Sequence, residues 1–168
     1  IFTYFFQETS SKGVSFFILN FMIKDLVPSE HLLLHEKVKS CSYNLDRQFL
    51  SRTLSESMIH HKGIGLSANQ IGIWERVFVM IRDVEYNEII TCFNPRILKE
   101  SRKKVCMEEG CLSYPDLFLD IVRPESVVVK YEDENKKLHK VKLDGLAARV
   151  FQHEYDHMEG IDFTQRTK

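Results

Sequence analysis

Residues 146–159 constrain the fold most, because their apolar side chains would cover almost every side of a helix. A helix of this kind is usually buried inside a domain. Asp144 and Gly145 stand where such a helix would begin, and Gly160 stands where it would end. We therefore predict a central helix around which the rest of the chain packs.

Residues 44–61 are predicted to form an earlier helix. Lys62 and Gly63 follow it, and Gly63 suits the left-handed conformation past a helix end. The preceding stretch, residues 22–43, is predicted to be loop-like. The apolar residues of this helix recur at helical spacing and are expected to share one face: Leu45, Phe49, Leu50, Leu54, Met58 and Ile59.

Short β-like runs fill most of the chain between the two helices. A charged hexapeptide, residues 132–137, is predicted to be a solvated hairpin turn. With no internal repeat in the sequence, the pattern predicts one α+β domain in which antiparallel strands pack around the central helix, with a helix on the N-terminal side. The predicted strands are residues 77–81, 89–93, 105–107, 117–122, 126–131 and 138–143.

The folded domain is predicted to cover residues 22–168, with residues 1–21 as an N-terminal extension that is non-native or disordered. Residues 14–23 are apolar but shorter than the roughly 20 residues of a membrane span. The extension has neither the basic start nor the small-residue cleavage site of a signal peptide. Met22 is therefore expected to be the natural start.

Composition indicates an ordinary globular protein, with 43% hydrophobic and 28% charged residues. The formal net charge of −1 does not indicate a nucleic-acid surface, which would be strongly basic. The four cysteines are Cys41, Cys92, Cys106 and Cys111, and they lack the dense spacing of a small disulfide framework. Reduced thiols are expected, and a reduced thiol is free to bind a metal.

His153 and His157 lie four residues apart in the predicted central helix. This spacing places both imidazoles on one face, one turn apart, so that both can reach one metal ion. Glu154 lies close enough to act on a water molecule at that ion. The same spacing also occurs in helices whose histidines are ordinary surface or core residues, so further ligands must be sought.

A third ligand is expected upstream of the helix. One zinc-protease type places it six residues after the second histidine, where this sequence has Phe163, and another takes a glutamate from a later helix, which the sequence does not contain. Cys111 is favoured, because Gly110 beside it permits close backbone approach and a thiolate is a strong ligand for borderline-soft ions. The other candidates are the remaining cysteines and His31, His35, His60, His61 and His139.

Three ordered segments resemble the peptide deformylase family: GIGLSANQ at residues 63–70, EEGCLS at 108–113 and QHEYDH at 152–157. The likeness extends from about Leu45 to Phe163. Framework residues between the motifs match too: Asn94-Pro95, Val122-Arg123-Pro124 and residues 145–149.

The sequence departs from the family pattern in a few places. Ser67 and Met158 stand where Ala and Leu are usual, and the lead-in matches only through Pro28 and Leu33-Leu34. A C-terminal helix carried by many bacterial members is missing from the sequence. In this respect the chain resembles the phage-encoded or otherwise minimal deformylases.

The resemblance implies a metal-dependent hydrolase that removes the N-formyl group from the N-terminal methionine of newly made polypeptides and releases formate. It implies that Cys111, His153 and His157 bind one divalent ion, with Fe²⁺ expected in the cell and Zn²⁺ or Ni²⁺ compatible. Glu154 would transfer the proton. The Gln70 side-chain amide and the Leu112 backbone N–H would stabilise the oxyanion.

Substrate contacts are predicted around this site. An apolar pocket for methionine is expected from Ile64, Met107, Leu146 and Val150, and strand-like pairing with the peptide backbone from Ile64, Gly65 and Gly110. Arg123 is predicted to pair with a nearby carboxylate, such as Glu109.

The expected partners are N-formyl-methionyl nascent peptides near the ribosome, with no direct recognition of nucleic acid or membrane. A monomer is expected, in a bacterial or phage-infected cytoplasm or in an organelle. Two alternatives are a zinc endopeptidase that uses the same helix and a non-catalytic domain that keeps a metal for stability. Glu154 and Gln70 argue against the latter, because a structural metal site needs neither.

Overall fold

The computed structural model describes residues 22–167, so the predicted extension over residues 1–21 lies outside the described residues. The described range forms two α-helices, three short 3₁₀ helices and seven strands. The helices are α1 (Arg47–His60) and α2 (Gly145–Met158). The strands are β1 (Gly65–Ser67), β2 (Val77–Asp83), β3 (Glu88–Glu100), β4 (Lys104–Cys111), β5 (Tyr114–Pro124), β6 (Ser126–Glu132) and β7 (Leu138–Asp144).

The strands make two antiparallel units. Five form a sheet in the order β1-β2-β3-β6-β7, and β4 pairs with β5 as a separate hairpin. Helix α2 contacts strands of both units. The α+β prediction, with antiparallel strands around a central helix, is confirmed. None of the described helices is long and apolar enough to cross a membrane.

Helix α2 is buried because its two sides meet different parts of the protein. Ala148, Phe151 and Met158 belong to the apolar core against the larger sheet. There the Phe151 and Phe78 rings meet edge to face, with their centroids 5.1 Å apart. Full burial of one such aromatic side chain stabilises the fold by roughly 1.5–3 kcal/mol. Another side of the helix carries buried polar groups, described below.

Asp46 caps the N-terminus of helix α1, because its side chain accepts a hydrogen bond from the Phe49 N–H at 2.9 Å. Leu50, Leu54 and Met58 are buried, as expected. The predicted apolar face was too wide, because Phe49 and Ile59 are exposed. Each helical residue advances by about 100°, which turns both side chains away from the buried stripe.

The end of α1 corrects a second prediction. Lys62, not Gly63, adopts the left-handed conformation, with φ of 58°. Gly63 instead permits close packing, because a Cβ there would lie 2.7 Å from Leu112 Cδ1.

Part of the glycine-rich stretch, residues 65–67, forms a strand that was not among the predicted ones. In β1, Gly65 pairs with Met80 and Leu66 with Val79 of β2. The six predicted strands are present, and all of them extend beyond their predicted limits, β3, β4 and β5 by the most residues. The hairpin turn is also present, with the Asp133 carboxylate accepting from the Asn135 and Lys137 N–H groups at 2.9 Å.

Gly160 reverses the chain after α2. It has φ of 72°, and a Cβ there would lie 2.6 Å from the Glu36 carbonyl carbon and 2.9 Å from the Lys37 nitrogen. Glu36 and Lys37 belong to the lead-in, which also pairs with the helix end through Val38 N–H and Met158 O at 2.9 Å. The turn therefore needs a residue without a side chain.

We expect Gly160→Ala to lower the free energy of unfolding by about 2–4 kcal/mol, through left-handed strain and backbone overlap. Gly145→Ala is the matched control, because Gly145 also has positive φ but nothing lies within 4 Å of its added Cβ. The control should lose only about 1–2 kcal/mol. Urea denaturation compares the two, and equal losses would contradict the steric explanation.

Candidate metal site

Three donor atoms converge where α2 meets the β4–β5 hairpin. His153 and His157 come from α2, and Cys111 is the last residue of β4. The three ligand atoms lie within 4.8 Å of one another, and Cys111 Sγ is 3.3 Å from His157 Nε2. Tetrahedral ligands at 2.0–2.3 Å from an ion are about 3.5 Å apart, so this donor set fits a divalent metal.

Local strand geometry brings Cys111 to the histidines. The β4–β5 register shifts between Gly110 and Cys111, and such irregularities re-aim side chains. Of the candidate third ligands suggested by the sequence, Cys111 is the one that forms a metal-sized group with the two histidines in residues 22–167. The predicted ligand trio is thus brought together by the fold.

A buried carboxylate orients His153. The imidazole Nδ1 donates to Glu109 Oε2 at 3.0 Å, which leaves Nε2 to face the other ligands. Arg123 holds Glu109 through two bonds of 2.7 and 2.9 Å, as the sequence suggested, and Arg149 adds a third at 2.8 Å. Such carboxylate–histidine pairs are typical of metal sites, because they fix the orientation of the ring and increase its basicity.

The electrostatics of these groups favour a cation. Burial alone would raise the pKa of Glu109, but hydrogen bonds from His153 and Arg123 hold that pKa well below its ordinary value. Burial would lower the pKa of His153, yet its bonds to Cys111 and Glu109 raise it to about 10. Burial holds the pKa of His157 well below its ordinary value, so this imidazole is neutral, whereas His153 carries a proton that a bound metal ion would displace.

Glu154 is buried and faces the β1 strand. Ser67 Oγ donates to Glu154 Oε2 at 2.7 Å, and Gly65 lies so close that any Cβ would overlap the carboxylate. Burial raises the pKa of Glu154 to about 7. A carboxyl group with this pKa can both accept and release a proton near neutral pH.

The Gln70 side chain is aimed at the site by Ser67. Its Oε1 accepts from the Ser67 N–H at 2.9 Å, which turns Nε2 towards Ser113 Oγ at 3.1 Å and Cys111 Sγ at 3.5 Å. Sequence reasoning assigned no role to Ser67 or Ser113. The one signal was a hydroxyl at position 67, where the family usually has Ala.

One cavity joins these groups to the predicted substrate contacts. Gln70, Glu154 and Leu112 line it together with Cys111 and His153. All six predicted substrate-binding residues line the same cavity: Ile64, Gly65, Met107, Gly110, Leu146 and Val150.

Residues 23–168 match the family described as polypeptide deformylase. The chain belongs to this family. Peptide deformylase 2 of Prochlorococcus marinus is 42% identical over 119 residues, which are 70% of this chain and 59% of that deformylase. The chain thus spans about three fifths of this relative's length.

Two solved deformylases share the fold. A probable peptide deformylase from Synechococcus phage S-SSM7 has a TM-score of 0.78 at 37% identity, over 85% of this chain and 99% of that one. A class I type b enzyme of Acinetobacter baumannii with bound Met-Ala-Ser has a TM-score of 0.78 at 28% identity, over 86% and 98%. The predicted resemblance, including that to a phage deformylase, is confirmed.

We expect Cys111→Ala to lose its divalent metal, because two imidazoles alone make an incomplete site. Cys106→Ala is the control, since Cys106 is an exposed thiol on the same strand. Metal content after gel filtration of Zn²⁺-loaded protein should approach zero for the first variant and remain near that of the unmodified protein for the second. Equal metal in both variants would exclude Cys111 as a ligand.

Proposed function

We propose that this protein is a metal-dependent peptide deformylase that removes the N-formyl group from the N-terminal methionine of newly made polypeptides. The observation that carries the proposal is one cavity lined by Cys111, His153, Glu154 and Gln70, with the third donor, His157, buried next to Cys111. Family membership supports the same activity. The bound Met-Ala-Ser of the A. baumannii enzyme has the sequence of a deformylated peptide start.

The reaction adds water across the formyl C–N bond, so hydroxide must reach the carbon and a proton must reach the amine nitrogen. A divalent cation held by Cys111, His153 and His157 would act as a Lewis acid towards the water and the formyl oxygen. Glu154 takes the proton from the attacking water and passes it to the leaving amine. Its pKa of about 7 suits both transfers.

Gln70 and Leu112 are proposed to stabilise the oxyanion that develops on the formyl oxygen. The Gln70 amide N–H group already points towards Cys111, and Leu112 follows Cys111 directly in the cavity wall. Each such donor contributes roughly 3 kcal/mol to transition-state stabilisation.

Substrate recognition is proposed to combine an apolar pocket with backbone pairing. Ile64, Met107, Leu146 and Val150 would surround the methionine side chain. β1 lies at the edge of its sheet, β4 pairs on one side only, with β5, and residues of both strands line the cavity. A peptide that lies along Gly65 and Gly110 would be bound with little regard to its sequence.

The biological setting is also proposed. Fe²⁺ is the expected native metal, with Zn²⁺ and Ni²⁺ as compatible substitutes. The protein would act as a monomer on nascent chains near the ribosome, in a bacterial or phage-infected cytoplasm or in an organelle, without direct recognition of nucleic acid or membrane.

Formate release from formyl-Met-Ala-Ser tests the function. Glu154→Gln should lower kcat by about 10²–10⁴-fold while metal stays bound, because it removes proton transfer and leaves the ligands in place. Glu85→Gln, in the exposed β2–β3 turn, should leave kcat unchanged. Full turnover by the first variant would overturn the mechanism. Cleavage of internal bonds in unformylated peptides would instead identify an endopeptidase.

The metal assignment has its own test. If Fe²⁺ is native, aerobic incubation without reductant should inactivate the purified enzyme, because oxygen oxidises the ferrous ion. Zn²⁺-substituted protein should lose no activity under the same conditions. An anaerobically purified enzyme that stays fully active in air would count against iron.

A further inference from the structure

A chain of charged groups runs from the metal ligand His153 to the protein surface. Glu109 accepts from His153 at 3.0 Å and is held by Arg123. The Arg123 Nη1 donates to Asp156 Oδ2 at 2.6 Å, and Arg166 Nε donates to that same oxygen at 3.0 Å. We refer to these five residues as the support chain.

The inner residues of the support chain are buried, so the energy of their ion pairs depends strongly on where each partner lies. The side chains of Glu109, Arg123 and Asp156 are only 5–6% exposed. Charges in such an environment interact strongly, so a displaced partner is costly. Arg166, at 43% exposed, is the outermost member.

Arg166 fixes the orientation of the Asp156 carboxylate. Its Nη2 donates to Oδ1 while its Nε donates to Oδ2, so the guanidinium binds the carboxylate as a fork. Bidentate pairs of this kind restrict geometry more than a single bond does. The oxygen that Arg123 needs is thereby held in place.

A second contact ties the same segment to the ligands. Arg166 ends the 3₁₀ helix Phe163–Arg166. Phe163, at its start, is buried against Cys111, and its ring centroid lies 5.8 Å from that of His153. Phe163 cannot coordinate a metal, but it packs behind two of the proposed ligands, Cys111 and His153.

We propose that Arg166 is a positioning residue for His153 and strengthens metal binding from outside the site. It acts through Asp156 and Arg123 on Glu109, and so on the orientation of the imidazole. The proposal rests on the metal site of the proposed function. It concerns metal affinity alone, which is measurable whatever substrate the enzyme uses.

The protein contains a second arginine, Arg82, that serves as a matched control for Arg166. Exposed ion pairs usually contribute little to the stability of a protein. Arg82 also binds a carboxylate as a fork, through Nε and Nη2 to Glu88, and its side chain is 41% exposed. This pair lies on β2 and β3, and neither residue lines the metal-site cavity. The two arginines thus differ mainly in what lies behind their carboxylate.

Chelator competition on the full chain loaded with Zn²⁺ tests the proposal. Arg166→Ala should weaken Zn²⁺ binding by about tenfold, the scale typical of groups that orient metal ligands. Arg166→Lys should lie between, because lysine keeps the charge without the fork. Arg82→Ala should leave the affinity unchanged. In Co²⁺-loaded protein, Arg166→Ala should also shift the visible absorption bands, which report ligand geometry.

Two results would overturn the proposal. In one, Arg166→Ala and Arg82→Ala bind Zn²⁺ equally well. In the other, Arg166→Ala unfolds more easily while Zn²⁺ affinity and the Co²⁺ spectrum stay unchanged, which would make Arg166 a structural ion pair only. Loss of Zn²⁺ affinity in a protein without deformylase activity would still support Arg166 and would reject only the proposed function.

Discussion

The buried Glu109 carboxylate is the group on which the site depends. It accepts from His153 and Arg149 of α2 and from Arg123 of β5, so one side chain of β4 joins the hairpin to the helix. Removing one partner from a buried pair typically costs about 3–5 kcal/mol, because the remaining charge has lost its hydration without compensation. The same bonds that join the hairpin to α2 therefore also orient a metal ligand.

Helix α2 combines this polar network with an ordinary apolar core. Phe151 and Met158 pack against the large sheet, while Glu154 and His157 are buried among polar groups and donor atoms. Rigid packing around the helix keeps the proposed ligands and the proposed base at constant separation. Catalytic geometry benefits from this, because small displacements at a reacting centre have large effects on rate.

Much of the fold could be predicted from local patterns. The residue pattern of α2 indicated a buried helix, and short β-like runs identified six strands. β1 was missed because Gly65 and Ser67 have low strand propensity, and β2 alone supplies its pairing. The predicted apolar face of α1 was too wide, because periodicity alone does not show whether the Phe49 side chain contacts the core. Partners distant in sequence decide such cases.

The sequence by itself determined the chemistry available: two histidines one turn apart, a glutamate between them, and a cysteine within a recognisable motif. Only the tertiary structure decided which groups act together. It brought Cys111 to His157, turned Ser67 towards Glu154, and placed Arg166 behind Asp156. Local sequence sets helix and strand periodicity, whereas distances between residues on different elements depend on how the elements pack and on which buried charges must find partners.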